Sequence, residues 1–149
     1  MLLYHMFLML GGYLYSEQME RLRAQPRRQR TDDEWPTVSV LIPAHNEEIV
    51  IRYTLDAMLR LDYPRDRIEI IVIDDNSQDK TGEIVDEYCR RDSRVRCLHL
   101  KPPHAAKGKS NALNQGLKIA SGEYIVVFDA DNTPNSAAVK YLVEAALED

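Results

Sequence analysis

Cysteine is scarce in this 149-residue chain, and its two thiols, Cys89 and Cys97, form no CxxC pair and no Cys/His cluster. They read as two reduced, partly buried thiols of a reducing compartment, with no disulfide framework to build. A basic excess is missing too. The formal net charge is -5, which argues against nucleic acid held on a broad basic surface, so no nucleic-acid partner is expected. A phosphate-bearing ligand would then need local help from a cation, backbone N–H groups or a few Lys and Arg side chains. Neither common phosphate-loop signature is present. No GxGxxG follows the first apolar stretch, which counts against a dinucleotide-binding oxidoreductase. Gly108-Lys109-Ser110 lacks the upstream glycine of GxxxxGK[ST], because Pro103 stands at that place, so it is not a P-loop.

Long apolar runs are lacking as well. Residues 1–15, MLLYHMFLMLGGYLY, carry no formal charge apart from a protonatable His5, yet they fall short of the ~17 residues a spanning helix needs. Five arginines follow between Arg21 and Arg30. A secretory signal has its basic residues ahead of the apolar run and a small-residue cleavage site behind it, and here the order is reversed. Residues 1–15 are expected to associate with a membrane, as a spanning helix missing its start or as an interfacial anchor. The positive-inside rule then puts everything downstream at the cytoplasmic face. Residues 16–36 read as a basic and polar linker, ending in a stretch bracketed by Pro26 and Pro36.

What is present is a regular alternation. Hydrophobic residues make up 44% and charged residues 29% of the chain, as a packed globular core requires. Val38–Ile42, Ile68–Ile73, Val95–Leu100 and Tyr124–Phe128 are β-rich runs. Between and after them, residues 49–61, a stretch opened by Asp79 or Thr81, residues 107–120 and a last segment show helical spacing. The expected inward positions are Ile51, Leu55, Met58 and Leu59 in the first; Ile84, Val85 and Tyr88 in the second; Leu113, Leu117 and Ala120 in the third; and Val139, Leu142, Val143 and Ala146 in the last. The strands are continuous apolar runs rather than alternating ones, which predicts a parallel sheet covered on both faces. The predicted fold is α/β: an open, mostly parallel sheet with helices on both faces, joined by right-handed crossovers.

In such sheets ligands sit beyond the carboxyl ends of the strands. Those ends here are Pro43-Ala44-His45-Asn46-Glu47-Glu48, Asp74-Asp75-Asn76-Ser77, Lys101-Pro102-Pro103-His104 and Asp129-Ala130-Asp131-Asn132. Each is polar or charged, whereas the amino-terminal ends, at Thr37 and Gly122, are plain. Asp129 and Asp131 stand two apart, a spacing that sends side chains the same way at a strand tip. Two carboxylates held close repel unless a cation intervenes. Mg²⁺ is typically held by one or two carboxylates plus substrate phosphates, so the pair is a candidate site for a divalent metal, Mg²⁺ or Mn²⁺, carrying a diphosphate. Asp75 is placed to accept hydrogen bonds from a base or ribose. The turn containing His45 offers free N–H groups to an anion, and Lys107 or Lys109 could reach a phosphate.

The stretches VSVLIPAHNEE, IIVIDDNSQDKT, KGKSNALNQGL and GEYIVVFDADN together resemble the amino-terminal half of family 2 glycosyltransferases, from about Thr37 to Asp149. The resemblance implies a GT-A fold, here a Rossmann-like half truncated at the C-terminus. It also implies transfer of a sugar, with inversion, from a nucleotide-diphosphate sugar donor to a carbohydrate or lipid-linked acceptor. By the same likeness Pro43, Ala44, His45 and Glu47 belong to the nucleotide-contacting first loop, and Asp75 recognises the base. Asp129, Ala130 and Asp131 form the DxD motif, with Asp131 the metal ligand beside Asp129, and Lys109 is a basic residue on the phosphate side. The family's catalytic base lies well downstream of DxD, so none is assigned within these residues, and the fragment alone is expected to bind donor and turn over little. There are two alternatives. VVFDADNTP also resembles the signature of haloacid-dehalogenase-type phosphatases, with Asp129 as nucleophile, and a nucleotide-binding module without turnover is the other.

Overall fold

The computed structural model describes residues 30–148, and residues 32–148 form one compact unit. Residues 1–15, expected to associate with a membrane, and most of the linker lie outside the described residues. Four parallel strands form the sheet: β1 (Val38–Ala44), β2 (Ile68–Asp74), β3 (Val95–His99) and β4 (Tyr124–Val127), in the order β3-β2-β1-β4. Four helices alternate with them: α1 (Ile51–Leu59), α2 (Thr81–Arg91), α3 (Lys109–Leu117) and α4 (Ala138–Glu148).

The two faces of β1 and β2 follow from the period of two along a strand. Val38, Val40, Ile42, Ile68, Ile70 and Val72 share one core with Ile51, Leu55 and Met58 of α1, Val85 and Tyr88 of α2, and Val139 and Val143 of α4. Leu41, Ile71 and Ile73 face the other way, onto Ala112 of α3 and onto Leu100 and Ala105. Helices therefore cover both faces of β1 and β2, as their largely apolar runs predict.

Coverage fails at β4. Ile125 and Val127 are 40% and 45% exposed, because α3 is the helix on that face and it packs on β1 and β2. Three expected core positions also turn outward: Leu117 is 46% exposed, Leu142 50%, and Ala146 is exposed. In α3 the buried positions are the small residues Ala112 and Gly116, with Gly116 lying directly against the Ile73 side chain. Small residues let the helix approach the sheet closely, and that rotation leaves Leu117 outside. The start of α2 differs from expectation in detail. Lys80 holds the cap position, while the Asp79 carboxylate accepts the N–H and hydroxyl of Thr81 at 2.9 and 2.6 Å.

Pro43 lies within β1, a central strand, where a missing N–H would normally break a ladder. The Leu41 carbonyl accepts the Phe128 N–H at 3.1 Å and thus faces β4, so Pro43, two residues on, also faces that side. By then β4 has ended, and no partner is lost. The strands part at this point, between β1 and β4, which is also where the chain order reverses.

Candidate active site

That reversal opens a crevice at the carboxyl edge of the sheet. A cavity of about 610 Å³ occupies it, within the range of small-ligand sites. Pro43, Ala44, His45 and Glu47 reach it from the end of β1, and Asp75 from the end of β2. Lys109 enters from the start of α3, and Asp129, Ala130 and Asp131 from the end of β4. All nine residues singled out from the sequence thus line one space. Lys107 is exposed and does not line it.

The first two loops are locked together. Asp75 donates its N–H to the Ala44 carbonyl at 2.8 Å, and its own carbonyl accepts the His45 Nδ1–H at 2.8 Å. Asn46 donates its side-chain amide to His45 Nε2 at 3.1 Å, so both ring nitrogens are assigned by their partners. The Asn46 N–H reaches Ser77 Oγ at 3.0 Å, and Asn46 Oδ1 accepts the Gln78 N–H at 2.8 Å. Asn46 and Asn76 both adopt positive φ, 57° and 58°, a conformation that asparagine tolerates. The Asp75 side chain is buried, and its Oδ1 accepts the Ala106 N–H at 2.7 Å, which ties the loop before α3 to the same frame.

At the far strand the pleat does not explain the placement of the two acids. β4 stops at Val127, and Asp129–Asn132 is a turn in which the Asn132 N–H donates to the Asp129 carbonyl at 3.0 Å. The turn is anchored from below: the buried Thr54 hydroxyl of α1 donates to the Ala130 carbonyl at 2.5 Å. Asp129 and Asp131 are exposed to the cavity, and Lys109 Nζ pairs with Asp129 Oδ1. This pairing joins the start of α3 to the turn after β4 across the crevice, while Lys101–His104, after the third strand, does not line the cavity.

Sequence reasoning missed three kinds of contributor. Ala106, Gly108 and Ala112 line the cavity, but small residues carry no chemical signature. Thr54 looks like an ordinary helix residue until its partner is known. His99, the last residue of β3, meets Asp74 and Asp86, and nothing local in VRCLHL announces it. Asp86, Cys97 and His99 also bring ligand-type atoms within 4.8 Å of one another. There the two ring nitrogens already serve different carboxylates, and burial pushes the Cys97 thiol far up, against the thiolate a metal would need. Among the described residues no helix is long and apolar enough to cross a membrane.

An open parallel α/β sheet whose switch point holds a cleft lined by an Asx-rich loop and an Asp-Ala-Asp turn has the layout of the ligand-binding α/β domains. Comparison with known proteins narrows this. The sequence profile of glycosyl transferase family 2 matches residues 39–149, and the chain belongs to that family. Over its whole length it is 53% identical to the probable glycosyltransferase YdaM of Bacillus subtilis (strain 168), of which it covers 35%. Among solved structures it resembles S. aureus TarS 1-349 in complex with UDP-GlcNAc, at TM-score 0.65 and 29% identity, over 75% of this chain and 31% of that one. It also resembles the mannosyltransferase PcManGT from Pyrobaculum calidifontis in complex with GDP-Man and Mn²⁺, at TM-score 0.64 and 31% identity, over 85% of this chain and 37% of that one. These are GT-A enzymes, and the chain corresponds to about a third of their length. Family membership removes the phosphatase alternative: Asp129 follows the fourth strand of a glycosyltransferase domain.

Proposed function

We propose that residues 37–149 are the donor-binding part of an inverting glycosyltransferase that takes its sugar from a nucleotide-diphosphate sugar. One observation carries this reading: Asp75 and the Asp129-Ala130-Asp131 turn, far apart in sequence, open into the same cavity. A nucleotide needs both ends of such a site, an acceptor of hydrogen bonds for its base or ribose and a place for its phosphates. The buried Asp75, braced by Ala106, serves the first need. Lys109 and the DxD turn serve the second.

The donor set at the turn fits a divalent ion, Mg²⁺ or Mn²⁺. Its oxygens are hard, both carboxylates are exposed to the cavity, and among the described residues none hydrogen-bonds the Asp131 carboxylate. Asp131 would be the principal ligand, because Lys109 already shares Asp129. Such an ion, when bound, neutralises charge on the departing nucleoside diphosphate. The chain's own contribution is to hold the base end against Asp75 and His45 while Lys109 offers a cation near the phosphates. The hydroxyl of a carbohydrate or lipid-linked acceptor would attack the anomeric carbon from the opposite face. We assign its general base to the part of the longer relatives that this chain does not match. We further propose that residues 1–15 hold the protein to the cytoplasmic face of a membrane.

Thermal-shift screening of nucleoside diphosphates, with and without Mn²⁺ or Mg²⁺, tests the reading. At least one nucleotide should stabilise the chain in a metal-dependent way, and Asp131→Ala should lose the metal dependence. Failure of every nucleotide to stabilise the wild-type chain would refute it.

A further inference from the structure

Behind the loop that carries Asp75 lies a second layer, centred on His99. His99 ends β3 and is the register partner of Asp74, which ends β2. His99 Nδ1 lies 2.9 Å from Asp74 Oδ2, and Nε2 lies 3.0 Å from Asp86 Oδ1 on α2. Carboxylate oxygens only accept, so satisfying both contacts requires a donor on each ring nitrogen, which is the imidazolium. Asp74 is buried, 5% exposed, and its other oxygen, Oδ1, accepts the Ser77 N–H at 3.0 Å. Ser77 in turn receives the Asn46 N–H of the first loop. The path from His99 therefore runs through one buried carboxylate into both loops that position Asp75 and His45.

The packing around the ring is specific. A Cβ on Gly82 of α2 would stand 2.9 Å from Asp74 Oδ2 and 3.2 Å from His99 Cε1, so only glycine lets the helix close over this contact. Asp74 comes from β2, Asp86 from α2, and Cys97, whose Sγ is 3.8 Å from Nδ1, from β3 itself. Cys89 of α2 stands behind Cys97. No positively charged group among these opposes the imidazolium.

We propose that His99 is a positioning residue for the nucleotide site: as an imidazolium bridging Asp74 and Asp86 it fixes the Asp74 carboxylate that builds the 74–78 loop, so that nucleotide affinity depends on the His99 proton. The inference rests on the donor-binding reading and adds a control to the same site. Burial of the ring disfavours its charge, but the hydrogen bonds it donates to Asp74 and Asp86 outweigh this and raise the His99 pKa above its ordinary 6.5. A raised histidine pKa means the bridged state is fully present below pH 6.5 and is lost as pH rises through the folded value. Affinity should fall in that upper window.

The test combines titration calorimetry of UDP and GDP with Mn²⁺ and NMR titration of the 149-residue chain, both from pH 6 to 9. Deprotonation should weaken nucleotide binding about tenfold, the effect of losing one charge-assisted bond. The affinity midpoint should coincide with the His99 ring titration, and the Ser77 amide should report the same midpoint. Asp86→Asn should move all three midpoints to lower pH, a shift that a merely structural role would not give. His99→Gln should bind weakly at every pH with no midpoint. Full affinity in His99→Gln, or an affinity midpoint that stays put in Asp86→Asn while the ring titration moves, overturns the proposal. Absence of nucleotide binding by the wild-type chain at every pH overturns the donor-binding reading and the affinity claim with it. A Ser77 amide blind to the His99 titration overturns the coupling alone.

Discussion

Glu69 offers a quantitative handle on how the site is held from the far end of the sheet. Its carboxylate lies near the start of β2 and gathers the crossover into β4. Oε1 accepts the Ser39 hydroxyl at 2.6 Å and the Ser121 N–H and hydroxyl at 2.7 and 2.8 Å, while Oε2 accepts Arg96 Nη1 at 2.8 Å. Burial raises the pKa of this group, but the donors from Ser39, Ser121 and Arg96 more than offset that and bring it from the usual 4.5 to about 2. A depressed carboxyl stabilises the fold above its unfolded pKa and loses that stabilisation as pH falls through the folded one. At neutral pH the contribution is ~3 kcal/mol, an upper figure because Arg96 is 46% exposed and its bond is screened, although Glu69 itself is only 16% exposed. By pH 3 it falls to ~1.4 kcal/mol. Glu69→Gln keeps an acceptor but drops the charge, so the variant should lose up to ~3 kcal/mol at pH 7, or roughly 6–12 °C in Tm for a domain of this size. Urea unfolding at pH 7 and pH 3, with Cm read at constant m, measures both points. The deficit should shrink by about half or more at the lower pH. A deficit that is equal at both pH values would show that the charge is not what Glu69 contributes.

Other perturbations probe the supports of the cleft. Gly122→Ala would put a Cβ 2.4 Å from the Ser39 backbone nitrogen, which cannot yield, so the variant should lose roughly 2–3 kcal/mol in urea unfolding. Thr54→Val leaves the Ala130 carbonyl without its donor and should cost about 1–3 kcal/mol while weakening metal-dependent nucleotide binding more than metal-free binding, as calorimetry would show. Deleting residues 1–15 should move the protein from the membrane fraction to the soluble fraction on centrifugation of lysed cells.

Much of this architecture was legible in the sequence because its signals are local and mutually consistent. Val38–Ile42 and Ile68–Ile73 are apolar at every position but Ser39 and Glu69, a pattern that suits a strand covered on both faces, and the structure buries the apolar positions on both. The site was legible for a related reason: polar residues follow each apolar run, and a parallel sheet sends all four runs out at the same edge. What escaped depends on three-dimensional neighbours. Leu117 and Leu142 satisfy a helical period, yet α3 turns Gly116 against Ile73 and α4 turns Val139 and Val143 to the core, which leaves both leucines exposed, and a period alone does not encode either rotation. Asp129 and Asp131 do reach the cleft, but through a turn anchored by Thr54 and not through the pleat of a strand. His99 is invisible because its partners, Asp74 and Asp86, come from another strand and from a helix.

On the proposed function, one cleft holds a nucleotide at Asp75 and a divalent ion at Asp131. Calorimetric titration of UDP and GDP, each with and without Mn²⁺, into the wild-type chain, Asp75→Ala and Asp131→Ala tests it most directly. Mn²⁺ should tighten binding of at least one nucleotide to the wild type, Asp75→Ala should weaken binding equally with and without the ion, and Asp131→Ala should abolish the response to the ion. A wild-type response to Mn²⁺ that persists undiminished in Asp131→Ala would contradict it.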